Sequence, residues 1–240
     1  MSPVANALSL LGREALRIVL PSWCIACERE LPWRARTASC CASCWTALPK
    51  ITGAKCTSCA MPLAGSGDAL CIECMLDPLP VEWCDAWGEY RGTLERLLHA
   101  LKFERHDFLD DALAALLGET LRDRDFDTIV PVPMHRAKER RRGYNQAELL
   151  ARALSRRIGI ACDPSLLAKR GDRGTQSKLT RRERAENVRG VFAAPARAKS
   201  RSILLIDDIC TTGETLRACA HELRKRGARR VCALVVAKAT

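Results

Sequence analysis

The chain has 240 residues, of which 48% are hydrophobic and 5% aromatic, and its formal charge is +11. The hydrophobic fraction excludes a disordered chain and allows one large domain or two smaller ones. No apolar run reaches the ~20 residues of a membrane-spanning helix, so no membrane span is predicted. The charge favours an anionic partner, either nucleic acid or a polyphosphate metabolite, but it is also typical of a surface kept soluble by arginine.

Residues 1–22 are partly apolar but are interrupted by Arg13, Glu14 and Arg17. This pattern predicts an amphipathic N-terminal helix rather than a secretory signal. We therefore expect a cytoplasmic protein in a reducing compartment, where paired cysteines hold metal more often than they form disulfides.

Residues 23–80 are rich in cysteine and contain four Cys-x-x-Cys pairs, which predicts a zinc-binding module. Each pair places two thiolates on one side of a tight turn, and two pairs complete a tetrahedral site for Zn²⁺. All-cysteine coordination leaves no open position, so we predict a structural metal. An iron–sulfur cluster or a dithiol redox site would use the same residue type, but no further feature favours either. The pattern leaves open which pairs share a metal, whether both sites fill, and whether Cys40 competes for the first site. The predicted ligands are Cys24, Cys27, Cys41, Cys44, Cys56, Cys59, Cys71 and Cys74.

Residues 81–240 alternate helical and strand patterns, which predicts an α/β domain that begins after Pro78 and Pro80. Leucines at helical spacing predict helices over 94–101 and 109–117. In such a domain the ligand site lies beyond the carboxyl ends of the parallel strands. The other predicted elements are strands at 127–133, 203–206 and 231–236 and helices at 145–158 and 213–226.

The stretch after the predicted strand at 203–206 carries the strongest functional signal. Two adjacent acids precede a Thr-Thr-Gly-x-Thr loop that opens a helix. Backbone N–H groups and the dipole at a helix N-terminus hold a phosphate, hydroxyls add hydrogen bonds, and glycine permits close approach. Vicinal ribose hydroxyls are suitable donors for the two carboxylates. An isolated Thr-Thr-Gly would favour an ordinary capped turn, but the full string favours a sugar-phosphate site. The candidate residues are Asp207, Asp208, Thr211, Thr212, Gly213 and Thr215.

This string resembles the motif with which type I phosphoribosyltransferases bind 5-phosphoribosyl-1-pyrophosphate (PRPP). The resemblance implies a parallel sheet flanked by helices, with Asp207 and Asp208 on the ribose hydroxyls and residues 211–215 on the 5′-phosphate. It also implies Mg²⁺, held mainly by PRPP itself. Cys210 departs from the pattern, since many members have an aliphatic residue there.

Nearly the whole chain resembles the ComF family. That resemblance implies a role in natural transformation, with single-stranded DNA and DNA-uptake proteins as partners. The segments that carry it are the cysteine-rich start after Leu20-Pro21, Leu101-Lys102-Phe103, Pro131-Val132-Pro133, Arg142-Gly143-Tyr144-Asn145-Gln146, Gln176, and the run from Arg184 to Phe192.

Residues 135–143 place five cations after a predicted strand, where they suit a pyrophosphate, a nucleic-acid backbone or a solvated surface. Asn145 and Gln146 suit either a helix cap with a surface residue or, by the family resemblance, a site role. Residues 169–190 are polar and basic and fit a mobile loop that closes over PRPP. The candidate pyrophosphate or loop contacts are Lys102, Arg140, Arg142, Asn145, Gln146, Gln176 and Arg184.

Two functions follow as hypotheses. The first is an enzyme that transfers ribosyl phosphate from Mg²⁺–PRPP to an acceptor, although no general base or base-specificity loop is evident. The second is a non-catalytic PRPP sensor or a single-stranded-DNA-binding protein on the same fold. The low aromatic content gives little for base stacking, and core filling is the simpler role for the tryptophans. The tryptophans in or near the zinc module, which are the best candidates if stacking occurs, are Trp23, Trp33, Trp45, Trp83 and Trp87.

Overall fold

The computed structural model describes residues 23–31, 40–65, 67, 69–103, 109–170 and 191–240. The predicted helix at 1–22, Trp33, Gln176, Arg184 and nearly all of the predicted loop at 169–190 lie outside these residues. Within the described part of the chain, no helix is long and apolar enough to cross a membrane.

A four-stranded parallel sheet forms the centre of the α/β part. The described residues contain six strands, of which four form this sheet. The six strands are β1 (Cys84–Glu89), β2 (Thr128–Pro131), β3 (Ala168–Lys169), β4 (Phe192–Ala193), β5 (Ser202–Cys210) and β6 (Arg230–Lys238). The sheet order is β1–β6–β5–β2, and β3 and β4 form a separate antiparallel pair. Strands β5 and β6 are almost continuously apolar because both faces of the sheet are covered.

Seven α-helices accompany these strands in the described residues. They are α1 (Ala42–Thr46), α2 (Ile72–Leu76), α3 (Gly92–Phe103), α4 (Asp110–Thr120), α5 (Arg136–Arg142), α6 (Gln146–Ile158) and α7 (Glu214–Lys225). The buried leucines of α3, α4 and α6 cover one face of the sheet, and those of α7 cover the other. The predicted α/β class is therefore confirmed. The sequence did not predict helix α5, because this helix presents no apolar face. Helices α6 and α7 each begin one residue later than predicted, since Asn145 and Gly213 are their N-caps.

The cysteine-rich segment contributes buried residues to both faces of the parallel sheet. Cys24 and Leu31 belong to the buried cluster on the side of α3, α4 and α6. Cys56 and Leu79 belong to the cluster on the side of α7. The two halves of the module thus contribute to two different halves of the core.

The segment between the two halves runs along the edge of the sheet. The backbone of Ile51 donates to Trp87 at 3.0 Å, and Glu89 donates to Pro49 at 2.9 Å, so this segment lies antiparallel to β1. A Cβ atom on Gly88 would lie 2.7 Å from both the Pro49 carbonyl oxygen and Leu94. Glycine at this position lets the linker approach the strand.

Candidate active site and metal centres

The eight predicted cysteine ligands form two groups of four. In each group the sulfur atoms lie within 4.8 Å of one another, and the first two Cys-x-x-Cys pairs form one group and the last two the other. Cys27 and Cys41 are 3.7 Å apart, as are Cys59 and Cys71. Sulfur atoms at about 2.3 Å from a tetrahedral zinc ion lie about 3.8 Å apart, so both groups fit zinc. Consecutive pairs therefore share a site, which the sequence had left open.

Local hydrogen bonds lower the pKa of at least one thiol in each group. A hydrogen bond from the Ser43 hydroxyl lowers the pKa of Cys41 to about 6. Burial opposes ionisation of Cys56, but backbone N–H donors from Cys71 and Cys59 outweigh it and lower its pKa to about 7. Burial instead raises the pKa of Cys40 to about 12, and this residue is not part of the first group. Burial likewise raises the pKa of Cys44, Cys59 and Cys74, so it is the clustering of the sulfur atoms that distinguishes the eight predicted ligands from Cys40.

The acid pair and the threonine loop lie at the carboxyl end of the central strand. Strand β5 continues to Cys210, four residues beyond the prediction, so Asp207 and Asp208 lie within the strand rather than after it. Gly213 caps the following helix α7 with φ +81°, a backbone conformation that favours glycine. The N-terminus of α7 therefore follows the carboxyl end of β5, and the free N–H groups of a helix N-terminus bind anions.

The two carboxylates have different surroundings. Burial raises the pKa of Asp207 well above its usual range, and the charge of Asp208 raises it further. Asp208 is buried, and within the described residues its Oδ2 atom has no hydrogen-bond donor. Lys102 Nζ lies 3.5 Å from that oxygen, so this predicted pyrophosphate contact stands beside the acid pair. Asp208 Oδ2 thus has an ion-pair partner but accepts no hydrogen bond from the described residues, so it can accept one from a ribose hydroxyl or a hydrated cation.

A buried cation, Lys238, lies behind the loop. Lys238, at the end of β6, donates to the Thr211 carbonyl and has its Nζ 3.9 Å from Cys210 Sγ. Among the described residues it forms no ion pair with a carboxylate. Its charge therefore favours an anion at the loop.

A cavity of about 410 Å³ opens between the acid pair and the loop after β2. Most of the predicted site residues line this cavity, whereas Thr212, Gly213 and Arg140 do not. The predicted residues that line it are Lys102, Arg142, Asn145, Gln146, Asp207, Asp208, Thr211 and Thr215.

Three of these residues also hold the wall of the cavity together. Arg142 Nη1 donates to Gln146 Oε1 at 2.5 Å. The Asn145 side chain accepts from the Ala147 N–H at 3.1 Å and donates to the Val132 carbonyl at 3.0 Å. Asn145 is therefore the helix cap and fixes the loop after β2 to α6, while it still borders the cavity.

Four further lining residues have side chains suited to an anionic or planar ligand, and none was among the predicted site residues. Tyr90 follows β1, and only its position at a strand end could have indicated it. Lys169 ends β3 and is the first residue of the segment 169–190 that was predicted to close over PRPP. His135 and Lys138 lie within the basic stretch whose role the sequence left open.

Comparisons with known proteins agree with this arrangement. A phosphoribosyl transferase domain matches residues 105–240, and a double zinc ribbon domain matches residues 15–75. The DNA utilization protein YhgH of Salmonella typhi is 32% identical over 180 residues, which cover 72% of this chain and 79% of that protein. Competence protein F of Haemophilus influenzae is 33% identical over 58% of this chain and 66% of its own length. Competence protein ComFC of Bacillus subtilis is 29% identical over 85% of this chain and 89% of its own length.

The fold and the site define a phosphoribosyltransferase-type protein with an appended double zinc ribbon. The zinc ribbon match and the two cysteine groups support structural zinc. The chain belongs to the ComF family within the phosphoribosyltransferase superfamily.

Proposed function

We propose that this protein binds Mg²⁺–PRPP in the 410 Å³ cavity and transfers its ribosyl phosphate to an acceptor nucleophile. The main observation in support is that the buried Asp208 Oδ2 atom lacks a hydrogen-bond donor among the described residues. This atom lies beside a threonine loop at a helix N-terminus. The ion pair with Lys102 at 3.5 Å leaves this buried oxygen without a hydrogen bond, which costs free energy unless a ligand supplies one. A ribose hydroxyl satisfies it and at the same time brings the 5′-phosphate to the loop.

Each part of PRPP then has a partner of suitable chemistry. Asp207 and Asp208 accept from the ribose hydroxyls, while Thr211, Thr215 and the N-terminus of α7 hold the 5′-phosphate. Carboxylates are also ligands of Mg²⁺, which when bound would neutralise charge on the pyrophosphate. The chain's own cations along the same cavity, Lys102, Arg142 and Lys169, stabilise the departing pyrophosphate. The bond between ribose C1 and the pyrophosphate oxygen breaks with its electron pair on pyrophosphate, and the acceptor's lone pair forms the new bond to C1.

The names of the relatives extend the proposal to a cellular role. Those proteins are named for competence and for DNA utilization. We place this chain in the cytoplasm in the same process, with single-stranded DNA and DNA-uptake proteins as partners. Within the chain, residues 23–80 would form the zinc module and residues 81–240 the ribosyl phosphate domain.

Calorimetric titration of PRPP with Mg²⁺ tests the site. The wild-type chain should bind, and Asp208→Asn should lower the affinity at least tenfold, because the amide cannot accept from the hydroxyl in the same way. Asp111→Asn is the matched control, since Asp111 is exposed and pairs with Arg156 away from the cavity. Equal affinity of Asp208→Asn and wild type would overturn the assignment. Pyrophosphate release in the presence of candidate acceptors separates an enzyme from a PRPP sensor.

One further observation favours single-stranded DNA binding by the same chain. Phe103 is 60% exposed, and its ring lies 4.7 Å from the ring of His99 and 5.1 Å from the Arg142 guanidinium. Helix α5 beside it carries five cations in seven residues. An exposed ring next to cations is a stacking platform for unpaired bases. The buried Trp83 and Trp87 belong to the core, so these two tryptophans are not available for stacking.

Fluorescence anisotropy with a labelled oligothymidine tests this second function. Phe103→Ala should weaken binding by about 1–3 kcal/mol, the value of one base-stacking contact. The salt dependence should stay unchanged because no cation is removed. An unaltered affinity would exclude Phe103 as a base contact.

A further inference from the structure

The second zinc ribbon, residues 56–79, directly borders the phosphate loop. The Leu79 side chain lies 3.1 Å from the position that a Cβ atom on Gly213 would occupy. The backbone N–H of Leu79 in turn donates to the Ser58 hydroxyl at 2.8 Å, and Ser58 lies between the metal ligands Cys56 and Cys59. One short chain of contacts therefore leads from the metal site to the loop.

A second connection runs through helix α7, which carries the loop at its N-terminus. Arg217, in the first turns of this helix, donates to Asp77 Oδ1 at 3.1 Å and to the carbonyls of Pro78 and Asp77 at 2.9 Å each. Three bonds from one guanidinium fix the end of the ribbon against the helix. Arg217 is therefore a positioning residue, because it acts on the loop through the ribbon and does not line the cavity.

The first ribbon has a different neighbourhood. Its described contact with the α/β part includes a hydrogen bond from Arg96, on α3, to the Ala26 carbonyl. Its buried residues pack on the opposite face of the sheet from α7. No described residue of the first ribbon contacts residues 211–213 by a hydrogen bond or ion pair.

We propose that the second ribbon packs against the phosphate loop and holds it in the conformation that binds ligand. The zinc of this ribbon and the sugar phosphate therefore bind cooperatively. The inference rests on the proposed function, since it needs a phosphate ligand at residues 211–215. A four-cysteine hairpin loses its structure without metal, and Leu79 and residues 77–78 would then no longer fix Gly213 and α7. The loop would have to be ordered at the cost of ligand affinity. Coupling between two sites is reciprocal, so bound ligand must retain this zinc to the same extent.

Zinc release measures this coupling without any assay of activity. The full chain loaded with two zinc equivalents is titrated with the competing chelator 4-(2-pyridylazo)resorcinol, and the zinc released at equilibrium is measured with and without Mg²⁺–PRPP, ribose 5-phosphate or inorganic phosphate. One equivalent should bind about 5- to 150-fold more tightly when ligand is bound, and the affinity of the other should be unaffected. Cys27→Ser, which removes a ligand of the first site, identifies the protected equivalent as the second.

Arg217→Met tests the positioning role while leaving all eight ligands in place. PRPP affinity should fall at least fivefold, and the protection of zinc by ligand should be reduced by the same factor, which a merely structural role would not produce. Arg226→Met is the matched control, since Arg226 pairs with Glu222 on the far end of α7. If Arg217→Met fails to fold, Arg217→Lys keeps the charge but cannot form all three bonds, and it should show the same two changes to a smaller extent.

The outcomes separate the two proposals. Normal PRPP binding with ligand-independent release of both zinc equivalents overturns the coupling and leaves the proposed function intact. If none of the three probes binds to the zinc-loaded chain, both proposals fail together.

Discussion

The two zinc ribbons have the same ligand layout but different surroundings. The first packs with α3, α4 and α6, and its Cys27 is exposed. The second packs with α7 on the other face of the sheet, three of its ligands are buried, and it touches the phosphate loop. Spacing of ligands thus defines a metal site without defining its task, because the task depends on which part of the fold the metal stabilises.

Removal of one ligand from each ribbon should show the largest difference between them. Cys59→Ser should lose one zinc equivalent and lower Tm by about 10 °C or more, since it also disrupts the core shared with α7. Cys27→Ser should lose one equivalent with a smaller shift. Metal analysis and calorimetry measure both. Equal shifts would mean that the ribbons support the fold to the same extent.

The ion cluster at the start of the second ribbon should give the next largest effect. Asp85 is buried, pairs with Lys55 just before Cys56, and accepts from Arg122 at 3.1 Å. Asp85→Asn leaves two cations without their counter-charge, so the free energy of unfolding should fall by about 3–5 kcal/mol. Urea denaturation provides the measurement. The exposed Asp111→Asn should cost less than about 1 kcal/mol, and a comparable loss there would contradict the role of burial.

A smaller loss of stability is expected at the contact between β1 and the linker between the ribbons, which includes residues 49–53. Gly88→Ala places a methyl group against the Pro49 carbonyl and Leu94, which should cost about 1–3 kcal/mol. Gly53→Ala, with no atom within 4 Å of its Cβ position, should be neutral or slightly stabilising. Both values come from chemical denaturation. A neutral Gly88→Ala would show that the linker can move away from β1 at no cost.

The smallest effect is expected for the hydrogen bond between the first ribbon and α3. Arg96→Met removes a donor to the Ala26 carbonyl and should cost about 1 kcal/mol. PRPP affinity should not change, because the first ribbon lies on the other side of the sheet from α7. A loss of affinity would place the first ribbon, as well as the second, in contact with the active site.

The sequence predicted what is local and missed what depends on tertiary contacts. Cys-x-x-Cys spacing and the string Asp207 to Thr215 are fixed by short-range geometry, so the cysteine groups and the loop at the end of β5 could be predicted. The extension of β5 to Cys210 could not, because pairing with β6 keeps polar residues in the strand. Lys238 gave no signal either, since its role depends on the Thr211 carbonyl of a neighbouring strand end.

The linker beside β1 also affects solubility. Strand β1 lies at the edge of the parallel sheet, and residues 49–51 occupy the hydrogen-bonding groups on its outer side. An uncovered edge strand offers a template for pairing with other chains. A fragment that begins after the linker would expose this edge and should aggregate even if its ligand site is intact, so the ribbons and the α/β part are best produced together.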